Sequence, residues 1–441
     1  MGKLMLNQYK SPTKDHYKIL GLSWAGWVFD FYDLILFTFL VIPIGKELHL
    51  STVMLSYALG ISLLATAIGG VIFGILSDKY GRKTVLQLTV LIYSAGTLLC
   101  GFATSLETLI LFRIITGLGV GGEWATGQTY IGETFPAKFR GRFGSFMQTG
   151  APIGIILASI VGGFLTPIIG WRESFFISAL PALMVIIIRR KLPESDVWLK
   201  KQSETVQHGF INLKTRVANS EFLMLFSKEY RKTFLLALIL AIFGMSAYWF
   251  TYSWMPDYLQ NERHLSLVNS ALWVIVTQLG GFCGYLSFGF VADWIGRRPT
   301  YTIYSAIMAL GLVMITAFWN LIVANPIVIL SFMFLVGFGT GIFGGYGALF
   351  SELFPTKIRN TASGSAFNLA RGVQFFTPVV IALIATKYSL GAGIFLAAIF
   401  ALLTGIWIWT LPETKGRKLE VLEEPQNNIP KKIVHDDELP N

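Results

Sequence analysis

Apolar stretches long enough to cross a lipid bilayer recur along nearly the whole chain of 441 residues. A transmembrane helix needs about 20 mostly apolar residues, because each residue advances the helix by only about 1.5 Å. The stretches lie at 20–45, 53–76, 84–104, 107–131, 142–168, 171–190, 233–257, 267–290, 300–322, 326–350, 361–386 and 390–411. The pattern therefore predicts an all-α polytopic membrane protein with twelve transmembrane helices.

The composition supports this class and excludes several others. Only 14% of the residues are charged and 54% are hydrophobic, whereas a soluble globular chain carries about 25% charged residues. The net charge of +10 would suggest nucleic acid as a partner of a soluble protein, but here we assign it to short loops. Cys100 and Cys283 both lie in apolar stretches and the five histidines are scattered. We therefore expect no metal, no cofactor, no nucleic acid and no enzymatic activity.

Basic residues are distributed unequally between the two sets of short loops. One set holds Lys79, Arg82, Lys83, Lys138, Arg140, Arg142, Arg297, Arg298, Lys357 and Arg359, and the other holds Lys46, Arg172, Arg263 and Lys387. Short loops rich in Lys and Arg remain in the cytoplasm. The bias predicts a multi-pass protein of the cell membrane with both termini cytoplasmic.

Three motifs occur twice in the same order. G-I-L-S-D-K-Y-G-R-K at 74–83 recurs as G-F-V-A-D-W-I-G-R-R at 289–298, with Asp78 matching Asp293. E-T-F-P-A-K-F-R at 133–140 and P-E-S at 193–195 recur as E-L-F-P-T-K-I-R and P-E-T, both 219 residues later. A duplication of this kind is typical of transporters whose two halves enclose a path for solute.

The repeat also sets the domain boundaries. We predict a cytoplasmic N-terminus at 1–19, six-helix bundles at 20–190 and 232–411, a linker at 191–231 with one or two short amphipathic helices, and a cytoplasmic tail at 412–441.

The duplicated loops resemble those of the major facilitator superfamily, and the resemblance covers about residues 18–415. Within this superfamily, the chain is similar to the branch of sugar porters, metabolite:proton symporters and sialate or lactate:proton symporters. The matching features are R-x-x-x-G-x-G-x-G-G-E-W at 113–124, the pair Arg140-Gly141 and the two Pro-Glu-Ser/Thr motifs. The seventh helix lacks the Gln-Gln-x-x-Gly-x-Asn motif of sugar porters, which disfavours a hexose. The resemblance implies uptake by alternating access, in a protein expected to be monomeric.

Several charged residues fall inside the predicted spans, where a charge is costly unless it has a function. Asp30 and Asp33 share one face of the first helix, and burial favours the neutral form of a carboxyl group, as a proton carrier requires. The resemblance implies that Asp33 pairs with Arg113. Glu123 lies too far along the helix from Arg113 to pair with it, so we expect it to face the cavity as a second proton site or to bond a neighbouring helix. All four are proton-coupling candidates, although Asp30 or Asp33 could instead cap a helix break or line a wet cavity.

Arg371 is the leading candidate for binding the substrate. It lies on a polar stripe with Asn368 and Gln374, at a depth from which it cannot easily reach water. An arginine matches a carboxylate with two parallel hydrogen bonds. The alternative is that Arg371 pairs with a protein acid or with carbonyl groups to hold two helices together. The other cavity candidates are Tyr32, Gln128, Gln148, Tyr252 and Gln278.

A third set of residues belongs to the loops. The resemblance implies that Asp78 and Asp293 pair with arginines and helix ends across the cytoplasmic face. The expected gate consists of Asp78, Arg82, Glu133, Arg140, Asp293, Arg297, Glu352 and Arg359. Charge-assisted hydrogen bonds of this kind break when two halves rock.

The sequence thus predicts proton-coupled uptake of a small organic anion across the lipid bilayer, with a monocarboxylate such as lactate or pyruvate favoured. Three alternatives remain open: symport of another polar metabolite such as a sugar or zwitterion, a facilitator or exporter, and a non-transporting receptor with a transporter fold.

Overall fold

The structure is a computed structural model that describes residues 5–136, 143–144, 146–190, 192–200, 221–355 and 358–415, apart from a few side chains within these ranges. Twelve helices in this part of the chain are long and apolar enough to cross a membrane. They are α1 Lys14–Leu48, α2 Thr52–Ser77, α3 Arg82–Cys100, α4 Leu106–Thr134, α5 Phe146–Ile169, α6 Trp171–Arg189, α7 Arg231–Glu262, α8 Leu267–Ile295, α9 Arg297–Thr316, α10 Pro326–Phe350, α11 Thr361–Ala385 and α12 Leu390–Thr410. The predicted fold class and the number of spans are confirmed.

The turns that join the helices are built in the same way in both halves. Ser51 and Ser266 cap α2 and α8, because each side chain accepts a hydrogen bond from the backbone N–H three residues later. At the other ends of these helices, Gly81 and Gly296 have φ values of +95° and +105° and reverse the chain into α3 and α9. Glycine occupies both positions because side chains rarely tolerate positive φ.

Glycines also set how closely the helices pack. A methyl group on Gly121 of α4 would overlap the carbonyl oxygen of Thr66 in α2, and one on Gly337 of α10 would overlap that of Thr277 in α8. Backbones that approach this closely are typical of helix pairs in membranes. The two halves therefore repeat in packing as well as in sequence.

Among the described residues, the halves pack most extensively along two seams. One joins α2 and α11, where Gly60 lies against Phe375 and Gly70 lies against Asn368. The other joins α5 and α8, where Gly163 lies against Ala271. We call the face that carries the start of α1 and the end of α12 the terminal face. The α5–α8 seam lies towards the opposite face, since Ala271 is near the start of α8.

Two of the spans are interrupted at prolines, which the sequence prediction did not anticipate. In α7 the regular helix ends at Tyr252 and a short turn follows at Met255–Asp257, whereas α11 is divided into Arg359–Val373 and Phe376–Ala385. Pro256 and Pro378 cause the breaks, because proline cannot donate a hydrogen bond to the carbonyl four residues earlier. The indole of Trp254 donates to the carbonyl of Pro378 at 3.0 Å, so the two interruptions are adjacent in space.

The predicted boundaries differ from the observed ones mainly at helix ends. Helix α1 begins at Lys14 instead of residue 20, and α7 continues to Glu262 instead of residue 257. The region between the halves contains the short helix Glu221–Met224. The rest of the predicted amphipathic segment, at 201–220, and the tail beyond 415 lie outside the described residues.

Candidate functional site

A cavity of about 390 Å³, counted as all space not filled by atoms and including space open to solvent, lies between the two halves. Its walls come from α1, α5, α7, α8, α10 and α11. The lining residues are Trp27, Phe31, Gln148, Ala151, Met245, Tyr248, Trp249, Tyr285, Phe343, Phe367 and Arg371. A concave and mostly apolar site with a few convergent polar groups is the usual form of a small-molecule site.

Arg371 carries the only charged side chain among these lining residues of the described chain. It lies in the part of α11 before the break and is 2% exposed. Its guanidinium carbon lies 5.9 Å from the ring centroids of both Trp27 and Phe31. One of its terminal nitrogens, Nη2, has no hydrogen-bond partner within the described ranges. An unpaired donor on a buried cation is costly, so this arrangement favours an anionic ligand.

Asp30 in α1 is a buried acid that interacts both with Arg371 and with charged residues inside the first half. It is fully buried, and neither carboxyl oxygen bonds to any residue that the structure describes. It interacts electrostatically with Arg371, which belongs to the other half, and with Glu123 and Arg189 of its own half. Asp30 is therefore positioned between the cavity and a second group of buried charges.

Asp33 and Arg113 form the pair that the resemblance implied. Nη1 of Arg113 donates to Asp33 at 3.0 Å, and its Nε donates to Ser62 at 3.0 Å. Thr97, which the sequence analysis did not single out, donates to the other Asp33 oxygen at 2.5 Å. Both charged side chains are almost fully buried. Arg113 also borders a second void of about 250 Å³ that Trp249 and Ser253 of the other half help to enclose.

Glu123 does not face the cavity in this structure. Its carboxylate forms a two-pronged ion pair with Arg189 at the end of α6, in which Nη1 and Oε2 are 3.1 Å apart. Thr89 donates to the same carboxylate at 3.0 Å, and Arg189 also donates to the carbonyls of Leu86 and Leu22. The side-chain exposures are 0% for Glu123 and 1% for Arg189. The geometry corresponds to the structural alternative, a bond to a neighbouring helix.

Of the remaining substrate-binding candidates, only Gln148 lines the central cavity. The amide oxygen of Gln374 accepts hydrogen bonds from Ser246 and Thr377, and its nitrogen donates to the carbonyl of Ala370, so this side chain braces the break in α11. The others are placed as follows: Asn368 lies against Gly70, Tyr32 bonds Ser178, Gln128 donates to Gly144, Tyr252 packs on Tyr248, and Gln278 donates to Thr277. The polar stripe on α11 therefore contributes one cavity residue, Arg371.

The expected gate residues whose side chains the structure describes form one network in each half. In the first half, Arg82 binds Glu133 through two hydrogen bonds of 3.0 and 2.6 Å, and Ser195 donates to Glu133 at 2.6 Å. The backbone N–H of Arg82 donates to Glu194 at 2.9 Å. These contacts join the ends of α3, α4 and α6 on the terminal face.

The second half repeats this network residue by residue. Arg297 binds Glu352 at 3.3 and 2.9 Å, Thr414 donates to Glu352 at 2.6 Å, and the N–H of Arg297 donates to Glu413 at 2.8 Å. Asp293, near the end of α8, pairs with Arg297 at the start of α9, across the turn at Gly296.

The expectation that these acids bridge the terminal face is not met for Asp293, because its partner belongs to the same half. Arg140 and the side chains of Asp78 and Arg359 lie outside the described residues.

The sequence model of the Major Facilitator Superfamily matches residues 22–373. The chain belongs to the major facilitator superfamily. A metabolite transport protein of Haemophilus influenzae is 33% identical over 405 residues, which cover 92% of this chain and 98% of that protein. The sialic acid transporter NanX of Escherichia coli is 29% identical, with coverage of 89% and 93%. The fold matches the xylose transporter XylE from E. coli with a TM-score of 0.74 at 20% identity, covering 92% of this chain and 100% of that one.

Membership of the major facilitator superfamily establishes the coarse function. The chain is a membrane-spanning transporter of metabolites and not an enzyme.

Proposed function

We propose that this protein takes up a small organic anion, a monocarboxylate, together with protons, and that it does so by alternating access of the cavity between its two halves. The observation that carries the proposal is Arg371, a buried guanidinium in the cavity wall with one nitrogen unbonded among the described residues.

The carboxylate of the substrate would complete the bonding of Arg371. A guanidinium presents two parallel N–H groups that match the two oxygens of a carboxylate. The same contact would neutralise a cation held in an environment of low dielectric constant, where an unpaired charge is most costly. The relative NanX, named for the transport of sialic acid, is consistent with an acidic solute.

Protons would be handled in the first half, by Asp33 with Arg113 and by Asp30. Protonation of Asp33 would remove the negative partner of Arg113 and so change the relative free energies of the inward-facing and outward-facing states. Asp30 interacts electrostatically with Arg371, so its charge state would depend on whether a substrate anion is bound there. We assign Glu123 to the support of this region, because its charge is already satisfied by Arg189.

The terminal-face networks would then stabilise each half as it moves. Arg82 with Glu133 and Arg297 with Glu352 are proposed to affect the rate of transport more than the choice of solute. Asp78, Arg140, Asp293 and Arg359 complete the proposed gate.

Uptake in proteoliposomes with an imposed pH gradient tests the proposal. Wild type is compared with Arg371→Gln, Arg371→Lys and Asp33→Asn over a panel of labelled monocarboxylates. Loss of one partner of a buried charge contact costs about 2–5 kcal/mol, so Arg371→Gln should lower uptake by about 30-fold or more. Arg371→Lys should recover only part of it, because an ammonium group cannot form the two-pronged contact.

Asp15→Asn is the matched control, because Asp15 is a half-exposed carboxylate of the same helix as Asp33. It should leave uptake unchanged, whereas Asp33→Asn should abolish the response to the pH gradient. Uptake that persists in both Arg371→Gln and Asp33→Asn would refute the mechanism.

A further inference from the structure

The walls of the central cavity are mostly aromatic. Seven of the eleven lining residues carry rings: Trp27, Phe31, Tyr248, Trp249, Tyr285, Phe343 and Phe367. The surface of this lining is mostly apolar, although Arg371, Gln148 and the tyrosine and tryptophan side chains carry polar atoms. A solute with many hydroxyl groups would lose more bonds to water than this surface can replace.

We infer that the substrate is a monocarboxylate with a single planar aromatic ring, of the size of benzoate. This inference rests on the proposed function and names the substrate class of the same site. It replaces the small aliphatic acids, lactate and pyruvate, that the sequence alone favoured.

The rings come from both halves and meet at the cavity. Phe31 of α1 stands edge-on to Tyr248 of α7, with ring centroids 6.2 Å apart and an interplanar angle of 90°. Tyr248 in turn stands at 70° to Phe343 of α10, at 5.3 Å. Edge-to-face pairs leave ring faces open to a third ring, and aromatic groups prefer such offset or perpendicular contacts. A flat aromatic solute would meet aromatic rings of both halves at this cavity.

Arg371 places the charged end of the solute among the same rings. Its guanidinium is 5.9 Å from the centroids of Trp27 and Phe31, within the range of cation–π attraction. In an aromatic carboxylate the charged group is attached directly to the ring. Pairing with Arg371 would therefore bring the ring beside Trp27 and Phe31, whereas the second carbon of lactate would place a hydroxyl group there.

Tyr248 supplies a second polar contact. Its hydroxyl group is buried without a hydrogen-bond partner in the described part of the chain. It can donate to an acceptor on the ring of the solute, so a hydroxyl substituent or a ring nitrogen should be tolerated.

A matched ligand series measured on the purified wild-type protein tests the inference. The probes are benzoate, cyclohexanecarboxylate, benzamide and lactate, with binding followed by isothermal titration calorimetry in detergent. Benzoate and cyclohexanecarboxylate share charge and size but differ in aromaticity, and benzamide retains the ring without the charge. Aromatic contacts contribute beyond their buried area, so benzoate should bind about tenfold more tightly than cyclohexanecarboxylate. Lactate and benzamide should bind more weakly still.

Two variants connect the preference to the cavity. Phe343→Leu should reduce the affinity for benzoate by about threefold to tenfold and leave that for cyclohexanecarboxylate nearly unchanged. Phe290→Leu is the control, since Phe290 is 81% exposed on the outer surface and should alter neither. If Phe343→Leu fails to fold, the wild-type ligand series decides the question by itself.

The failures of the two proposals can be distinguished. Proton-driven uptake of lactate with equal or weaker binding of benzoate would overturn the aromatic inference and leave the proposed symport intact. Absence of uptake for every carboxylate in the panel would overturn both. Equal affinities for benzoate and cyclohexanecarboxylate would show that the rings serve only as an apolar wall, and would also refute the inference.

Discussion

Replacing Glu123 by Gln keeps the shape of the side chain and removes its charge. Arg189 would then remain as a cation that is 1% exposed, with the carbonyls of Leu86 and Leu22 as its remaining bonded partners among the described residues. Breaking a buried ion pair by removing one partner costs about 3–5 kcal/mol. Because Asp30 also interacts with Arg189, we expect a value near the lower end of that range.

A loss of about 3 kcal/mol raises the ratio of unfolded to folded protein by roughly two orders of magnitude. The assay is chemical unfolding in detergent, followed by tryptophan fluorescence, for wild type, Glu123→Gln, Glu123→Leu, Arg189→Met and the double variant Glu123→Leu with Arg189→Met. Each single variant should be markedly destabilised. The double variant should recover most of the stability, because replacing a buried pair by apolar groups of similar volume is often neutral or favourable.

The refuting result is specific. If Glu123→Gln unfolds at the same denaturant concentration as wild type but no longer responds to a pH gradient, Glu123 is a proton site and not a structural partner of Arg189. If the two single effects simply add in the double variant, the side chains are not coupled and the ion pair contributes nothing to stability.

Two further predictions concern packing and the terminal face. Gly121→Ala should destabilise the protein by about 1–3 kcal/mol, because the added methyl group would overlap the carbonyl of Thr66. In the control Gly132→Ala, in the same helix, the added methyl group meets nothing within 4 Å, so this variant should be neutral or slightly stabilising. Thermal unfolding of the two variants in detergent compares their stabilities. For Glu413, burial alone would raise the pKa, but hydrogen bonds from the N–H groups of Arg298, Arg297, Lys415 and Thr414 hold the pKa below its ordinary value of 4.5. The ionised Glu413 side chain therefore stabilises the folded state fully above its ordinary pKa, and this stabilisation is lost as the pH falls through the lower pKa of the folded state. The difference in melting temperature between wild type and Glu413→Gln should accordingly be present at pH 7 and should disappear in acid. A difference that is independent of pH would contradict the second prediction.

The overall fold was predictable because lipid restricts what a chain can do. The sequence predicts twelve helices in two halves from the length of the apolar spans, the repeat at offsets of 215 and 219 residues and the biased loops. The repeated motifs also anticipated that Arg82 and Arg297 occupy equivalent positions. The breaks in α7 and α11 were missed, although Pro256 and Pro378 were visible signals, since in a membrane helix a proline can also be accommodated without a break.

The site was predicted less completely because burial does not specify a partner. Arg189 was overlooked since it stands at the end of a predicted span, where a basic residue is usually read as part of a cytoplasmic loop. Glu123 therefore lacked its partner and was expected at the cavity. Thr97 and Tyr248 gave no signal, because a single hydroxyl group in an apolar helix can simply bond its own backbone. Helical spacing predicted Asn368 and Gln374 on one face with Arg371. Gln374 lies at the break in α11, however, and its hydrogen bonds stabilise that break and do not face the cavity.

Every ion pair between described residues of the spans and their connecting loops joins two side chains of the same half. At the seams between the halves, Gly60, Gly70 and Gly163 lie instead against the uncharged residues Phe375, Asn368 and Ala271. Sliding along such a surface exchanges one set of van der Waals contacts for another, and it also changes the electrostatic interaction of Asp30 with Arg371 of the other half. Because that interaction is buried, salt screens it little, so the contribution of these seams to the balance between the two orientations of the empty carrier should be nearly insensitive to ionic strength.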